Sequence, residues 1–161
     1  MVLIMMGVVG AGKTTIGRLL AEQLGWNFAD ADDFHPEANK EKIRRGIGLS
    51  DEDRQPWLKS LRTEIANWIA QGRNVVLACS ALKRRYRREL AVGSEVRFVY
   101  LKGTAELIAQ RLRLRTGHYA DEQILASQLA DLEEPQDALT VQINGTPPDI
   151  VAEIRQKLEL A

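Results

Sequence analysis

Short, nearly continuous apolar runs alternate along this chain with longer stretches whose apolar residues recur three and four positions apart. The short runs are Val2 to Met6, Asn27 to Asp30, Asn74 to Ala78, Val96 to Leu101 and Val141 to Ile143. Uninterrupted runs of that length suit strands covered on both faces. Between them the helical spacing appears in Ile16, Leu19, Leu20 and Leu24, then Leu58, Leu61, Ile65 and Trp68, then Leu107, Ile108 and Leu112, and finally Ile150, Ile154 and Leu158. This βαβ alternation predicts an α/β chain, a parallel sheet wrapped by helices. Ser50 followed by Asp53, Thr104 before Ala105-Glu106, and Pro148 mark helix starts. No repeat or low-complexity linker divides residues 1–161, so the expectation is one domain. The longest irregular stretch, Ala31 to Asp53, follows a strand end, where open α/β sheets take ligands.

Composition narrows the class. Lys plus Arg number 22 and Asp plus Glu 22, a balance that gives no general attraction to nucleic acid or to an anionic membrane. Any anion site must therefore be local. The start, MVLIMM, is apolar but has no basic flank and runs directly into glycines, which reads as a buried strand and not a signal peptide. No apolar run reaches membrane-spanning length. The single cysteine, Cys79, excludes an intrachain disulfide and fits a reducing, cytoplasmic setting. It reads as a small buried hydrophobe, and Trp57 and Trp68 as core.

Gly7, Val8, Val9, Gly10, Ala11, Gly12, Lys13 and Thr14 match G-x-x-x-x-G-K-[ST] between a predicted strand and a predicted amphipathic helix. Glycines and small residues let backbone N–H groups curl around phosphates, and the helix start points its positive dipole end at them. Lys13 adds a catalytic point charge, and the Thr14 hydroxyl is placed to ligate Mg²⁺. The implied nucleotide is ATP. A GTPase switch or other P-loop regulatory module would need D-x-x-G and N-K-x-D, and neither occurs.

After the second run comes Asp30-Ala31-Asp32-Asp33-Phe34-His35-Pro36. If extended geometry continues, Asp30 and Asp32 share a face, roughly 7 Å apart, and Asp33 points away. Asp30 then serves the metal, because the third strand ends without a carboxylate, and Asp32 accepts the proton of an attacking hydroxyl. Arg111 and Arg115 lie four apart on one helical face and lead into Thr116-Gly117-His118-Tyr119, a predicted lid over about 111–122. The basic run from Lys83 to Arg88 has only Tyr86 interleaved and reads mostly as a solvated helix face.

The motif Gly7 to Thr14, Asp30 to Pro36 with Asn39 and Lys42, and Leu49 to Leu58 with its D-R-x-P-W core together resemble gluconate kinase. So do Ala78-Cys79-Ser80-Ala81-Leu82-Lys83, Arg115 to Tyr119, and Leu132-Glu133-Glu134-Pro135, in order along essentially the whole chain. The resemblance implies an adenylate-kinase-like core with five parallel strands between helical layers, phosphorylation of D-gluconate at its 6-hydroxyl by Mg·ATP, and a homodimer. It further implies Arg111 against adenine, Arg115 on phosphate, and His118 near the acceptor. With an acid as acceptor, Arg54 and Lys83 are candidates for its carboxylate and His35 for its hydroxyls, in an acceptor region of about 30–57. A shikimate kinase-like or other small-metabolite kinase is the alternative, although the shikimate kinases' Gly-Gly after the third strand is here Cys79-Ser80.

Overall fold

The computed structural model describes the backbone of residues 1–116 and 119–160, with the side chains of residues 1–115 and 123–160. Five strands, β1 (Val2–Met6), β2 (Asn27–Asp30), β3 (Val75–Ala78), β4 (Val96–Lys102) and β5 (Leu139–Gln142), form one parallel sheet in the order β2-β3-β1-β4-β5. The helices are α1 (Lys13–Leu24), α2 (Glu37–Arg44), α3 (Asp51–Ala70), α4 (Arg84–Leu90), α5 (Ala105–Thr116), α6 (Tyr119–Asp131) and α7 (Pro147–Lys157).

β1 is central, and every one of its residues is fully buried. Its alternation sorts the core. Leu3 and Met5 join Ile16 and Leu20 of α1, Ile108 and Leu112 of α5, and Ile150 and Ile154 of α7. Val2, Ile4 and Met6 face Trp57, Leu61 and Ile65 of α3 and Tyr86 and Leu90 of α4. The result is a three-layer sandwich whose strand order reverses on either side of β1, which opens a crevice at the strands' C-terminal ends.

Three predicted boundaries change. β5 begins two residues earlier than its apolar run and stops before Ile143, because Leu139 and Thr140 pair with Val99 and Tyr100. The stretch 31–53 is not irregular throughout: it holds a 3₁₀ turn, Ala31–Phe34, and α2. α2 escaped detection because only Asn39 on it is buried, so it has no apolar stripe. The predicted lid over 111–122 falls across the end of α5, undescribed residues and the start of α6. No described helix is long and apolar enough to cross a membrane.

Candidate active site

The loop from β1 to α1 starts at the C-terminal ends of the central strands, with Gly7 N–H donating to the Ser80 carbonyl at 3.3 Å. Gly10 has φ +81°, and a Cβ there would sit 2.8 Å from Leu112 Cγ, so only glycine fits. Gly12, also left-handed, precedes α1 with no side-chain cap, which leaves the first-turn N–H groups facing the loop's hollow. Lys13 Nζ bonds the Val8 carbonyl at 3.0 Å, which folds the side chain over the loop. Desolvation lowers its pKa, partly offset by the fields of Cys79 and the nearby carboxylates Asp32 and Asp30.

β2 lies beside β3 with Asp30 opposite Ala78, so Asp30 stands next to the strand end that lacks its own carboxylate. Extended geometry stops there. Asp30 caps the 3₁₀ turn by accepting the Asp32 N–H at 2.9 Å. The premise that Asp30 and Asp32 share a pleat is therefore wrong. Both nevertheless line one cavity of about 270 Å³ with Lys13, Thr14, Ser80 and Arg115, because the turn swings Asp32 back over the loop. Asp33 lines neither this cavity nor its neighbour. Partial desolvation in the cleft, and next the charge of Asp30, raise the Asp32 pKa above the usual carboxylate value.

A second cavity of about 340 Å³ adjoins the first and is lined by Asp32, His35, Arg54, Trp57, Lys83 and Tyr86, among others. His35 stacks on Trp57, centroids 4.7 Å apart and planes 12° off parallel. Burial, and then Arg54, push the His35 pKa down to about 4, so the ring is neutral at pH 7. Neutral His35 can accept at Nδ1 from Asn39 Nδ2, 3.2 Å away, while Asn39 also donates to the Asp53 carbonyl at 2.7 Å. A capping box then fixes the start of α3: Asp53 N–H donates to Ser50 Oγ at 3.0 Å and Ser50 N–H to Asp53 Oδ2 at 2.9 Å. The box sets Arg54, in the first turn, against the cavity. Arg54 donates to the Tyr86 hydroxyl at 3.1 Å, and Tyr86 in turn donates to Asp51, which also takes Lys83 at 3.1 Å and Arg85.

A third cleft of about 330 Å³ continues from the phosphate cavity past Gly10, Gly12, Arg111, Arg115, Gly145 and Pro147. Arg111 is anchored by a bond from Nη2 to the Ile143 carbonyl, and Arg115 lines both this cleft and the phosphate cavity. His118 lies outside the described residues.

Some sequence readings change. Arg87 is not part of a solvated face: it is buried and donates to the carbonyls of Ala81, Leu82 and Glu133. Cys79 is buried as expected, its thiol pushed up to about 12 by burial. Sequence reasoning missed Asp51, Ser80 and Gln128 as site-forming residues. Ser80 had a signal in following a strand's end; the other two meet the site only through tertiary contacts. Among the described residues no group of three His, Cys, Asp or Glu side chains could hold a metal. Thr14 and Asp30 still suit Mg²⁺, which takes oxygen donors from one or two carboxylates, substrate phosphates and water.

A parallel sheet in this order, a G-x-x-x-x-G-K-T loop opening α1 and a second cavity sharing a wall with the loop's own define a P-loop kinase. The pattern of the Shikimate kinase family matches residues 9–159. A probable gluconokinase of Xenopus tropicalis is 40% identical, covering 99% of this chain and 94% of that one. The structure of an unliganded sugar kinase from a Janibacter species superposes with TM-score 0.89 at 40% identity, covering 99% and 95%. A gluconokinase from Sinorhizobium meliloti gives 0.83 at 34%, covering 98% and 94%. The chain belongs to the shikimate kinase family and, within it, to the gluconokinases.

Proposed function

We propose that the chain transfers the γ-phosphoryl group of ATP to the 6-hydroxyl of D-gluconate. The observation that carries this reading is the wall shared by the two cavities: Asp32 stands on it, and the acceptor side adds the cations Arg54 and Lys83. That pairing suits an acceptor with a hydroxyl at one end and a carboxylate at the other. The loop amides, Lys13 and Arg115 hold the phosphates, and the cleft of Arg111 and Gly145 takes the base. Mg²⁺, held by Thr14 and Asp30, would neutralise phosphate charge. As the acceptor oxygen bonds to the γ-phosphorus, its proton passes to Asp32 and the bond from phosphorus to ADP oxygen breaks. Neutral His35 contributes hydrogen bonds to acceptor hydroxyls without adding charge beside Asp32. The same reading has the segment of about 111–122 acting as the lid, with His118 on it, and includes a homodimer in the cytoplasm.

A coupled assay of ADP release across gluconate, shikimate, glycerate and nucleoside monophosphates tests the assignment. Gluconate is expected to exceed every other acceptor in kcat/KM by at least ~100-fold: the others also carry an anionic group, but none sets a primary hydroxyl at the far end of a six-carbon acid, so polar groups of the cavity are left unpaired. Shikimate turning over as fast as gluconate would overturn it.

A further inference from the structure

Asp32, Ser80 and Gln128 are the described residues that line both the phosphate cavity and the acceptor cavity. A phosphoryl group crossing from one to the other passes between them. Gln128 comes from α6, far along the chain, and is half-buried. Its Oε1 accepts the Val9 N–H at 2.6 Å, which ties α6 to the phosphate loop and fixes the side chain at the junction. The amide's other branch, Nε2, carries two protons and no charge.

We propose that Gln128 is a catalytic donor at this junction: Nε2 hydrogen-bonds an equatorial oxygen of the phosphoryl group in transit while Oε1 holds α6 on Val9. This rests on the phosphoryl-transfer reading above. In transit the group spreads negative charge over its equatorial oxygens, and preorganised donors aimed there lower the barrier. A neutral amide suits the position. A lysine or arginine here would pair with Asp32, lower its pKa and weaken it as a proton acceptor, whereas an amide offers protons without that cost to the base.

Steady-state kinetics of the full chain decide the matter, with gluconate and Mg·ATP as substrates and thermal melting alongside. Gln128→Glu keeps the length and an oxygen for Val9 but replaces the donor with an anion. Its kcat should fall by at least about 100-fold, the usual loss for one such donor with the repulsion of an anion beside the phosphoryl oxygens added to it, with KM for gluconate within about 3-fold and an unchanged melting midpoint. Gln128→Leu, which removes both functions, should lose at least as much. If Gln128→Glu keeps its kcat while Gln128→Leu loses it, Gln128 is only a tether and the proposal is overturned. A fall in kcat matched by a fall in melting midpoint for the Glu variant overturns it as well. The unaltered chain separates the two claims: if it fails to phosphorylate gluconate, the functional assignment itself is wrong.

Discussion

At the scale of single residues, the three aspartates at the end of β2 show how the placement expected of extended backbone is reached by a different geometry. Extended backbone would have set Asp33 opposite Asp32 by alternation; instead a 3₁₀ turn, capped by Asp30, does the sorting. Asp32 meets both cavities and Asp33 neither. Asp32→Asn keeps the shape and removes the base, so kcat should drop by at least ~100-fold with ATP binding retained. Asp33→Asn should cost less than about 3-fold, and the reverse ranking in saturating gluconate would move the base to Asp33. The pKa shift adds a pH signature. Because Asp32 is raised above the ordinary aspartate value in the unliganded chain, the acid limb of kcat/KM lies at higher pH than for a free aspartate, and activity is lost as pH falls through it. For stability the sign is opposite. A raised carboxylate favours the fold when protonated, and that contribution disappears as pH rises, so at neutral pH the ionised Asp32 is a cost. Asp32→Asn should therefore melt no lower than the unaltered chain at pH 7, and a clear drop would contradict this account.

At the scale of elements, legibility followed the apolar pattern more than burial itself, since half-exposed β2 was also read to its bounds. β1 and β3, buried on both faces, were read from their apolar runs within a residue of their ends. α1, α3 and α7 announced themselves by apolar spacing, and α3 also by the Ser50 and Asp53 pair that forms a capping box. α2 carries no apolar stripe to read. The junction residue Gln128 was invisible for another reason: its partner Val9 is 119 positions away, and only the docking of α6 brings them together. The capping box is itself testable. Ser50→Ala should cost ~1 kcal/mol, the usual loss for a helix cap, seen as a lower denaturant midpoint. Since Arg54 lies in the turn that the box secures, KM for gluconate should rise several-fold while KM for ATP holds. Equal effects on both substrates would mean that the cap serves the fold without serving the acceptor cavity.

At the scale of the whole molecule, the acceptor cavity is open and has apolar residues that the described fold leaves uncovered. Ile43 and Ile47, from α2 and the loop after it, and Ile124 from α6 all line it and are all nearly half exposed. Large apolar side chains facing water around a polar cavity gain by coming together, at about 25 cal/mol for each Å² covered. Phosphoryl transfer also requires water to be kept from the γ-phosphate, or the kinase becomes an ATPase. Both demands are met if the 43–49 segment closes over bound acceptor against Ile124 of α6, which the Gln128–Val9 bond holds in place. Gly46, with φ +70° and no atom within 4 Å of where its Cβ would be, sits where such a hinge belongs. Hydrogen exchange reads this directly. With a non-hydrolysable ATP analogue and gluconate together, amides of 43–49 and 123–131 should gain protection beyond the sum of what each ligand gives alone, because both are needed to fill the two cavities that the segments cover. Protection that is merely additive, or confined to Gly7 to Thr14, would show that the cavity stays open during transfer and that water is excluded by some other means.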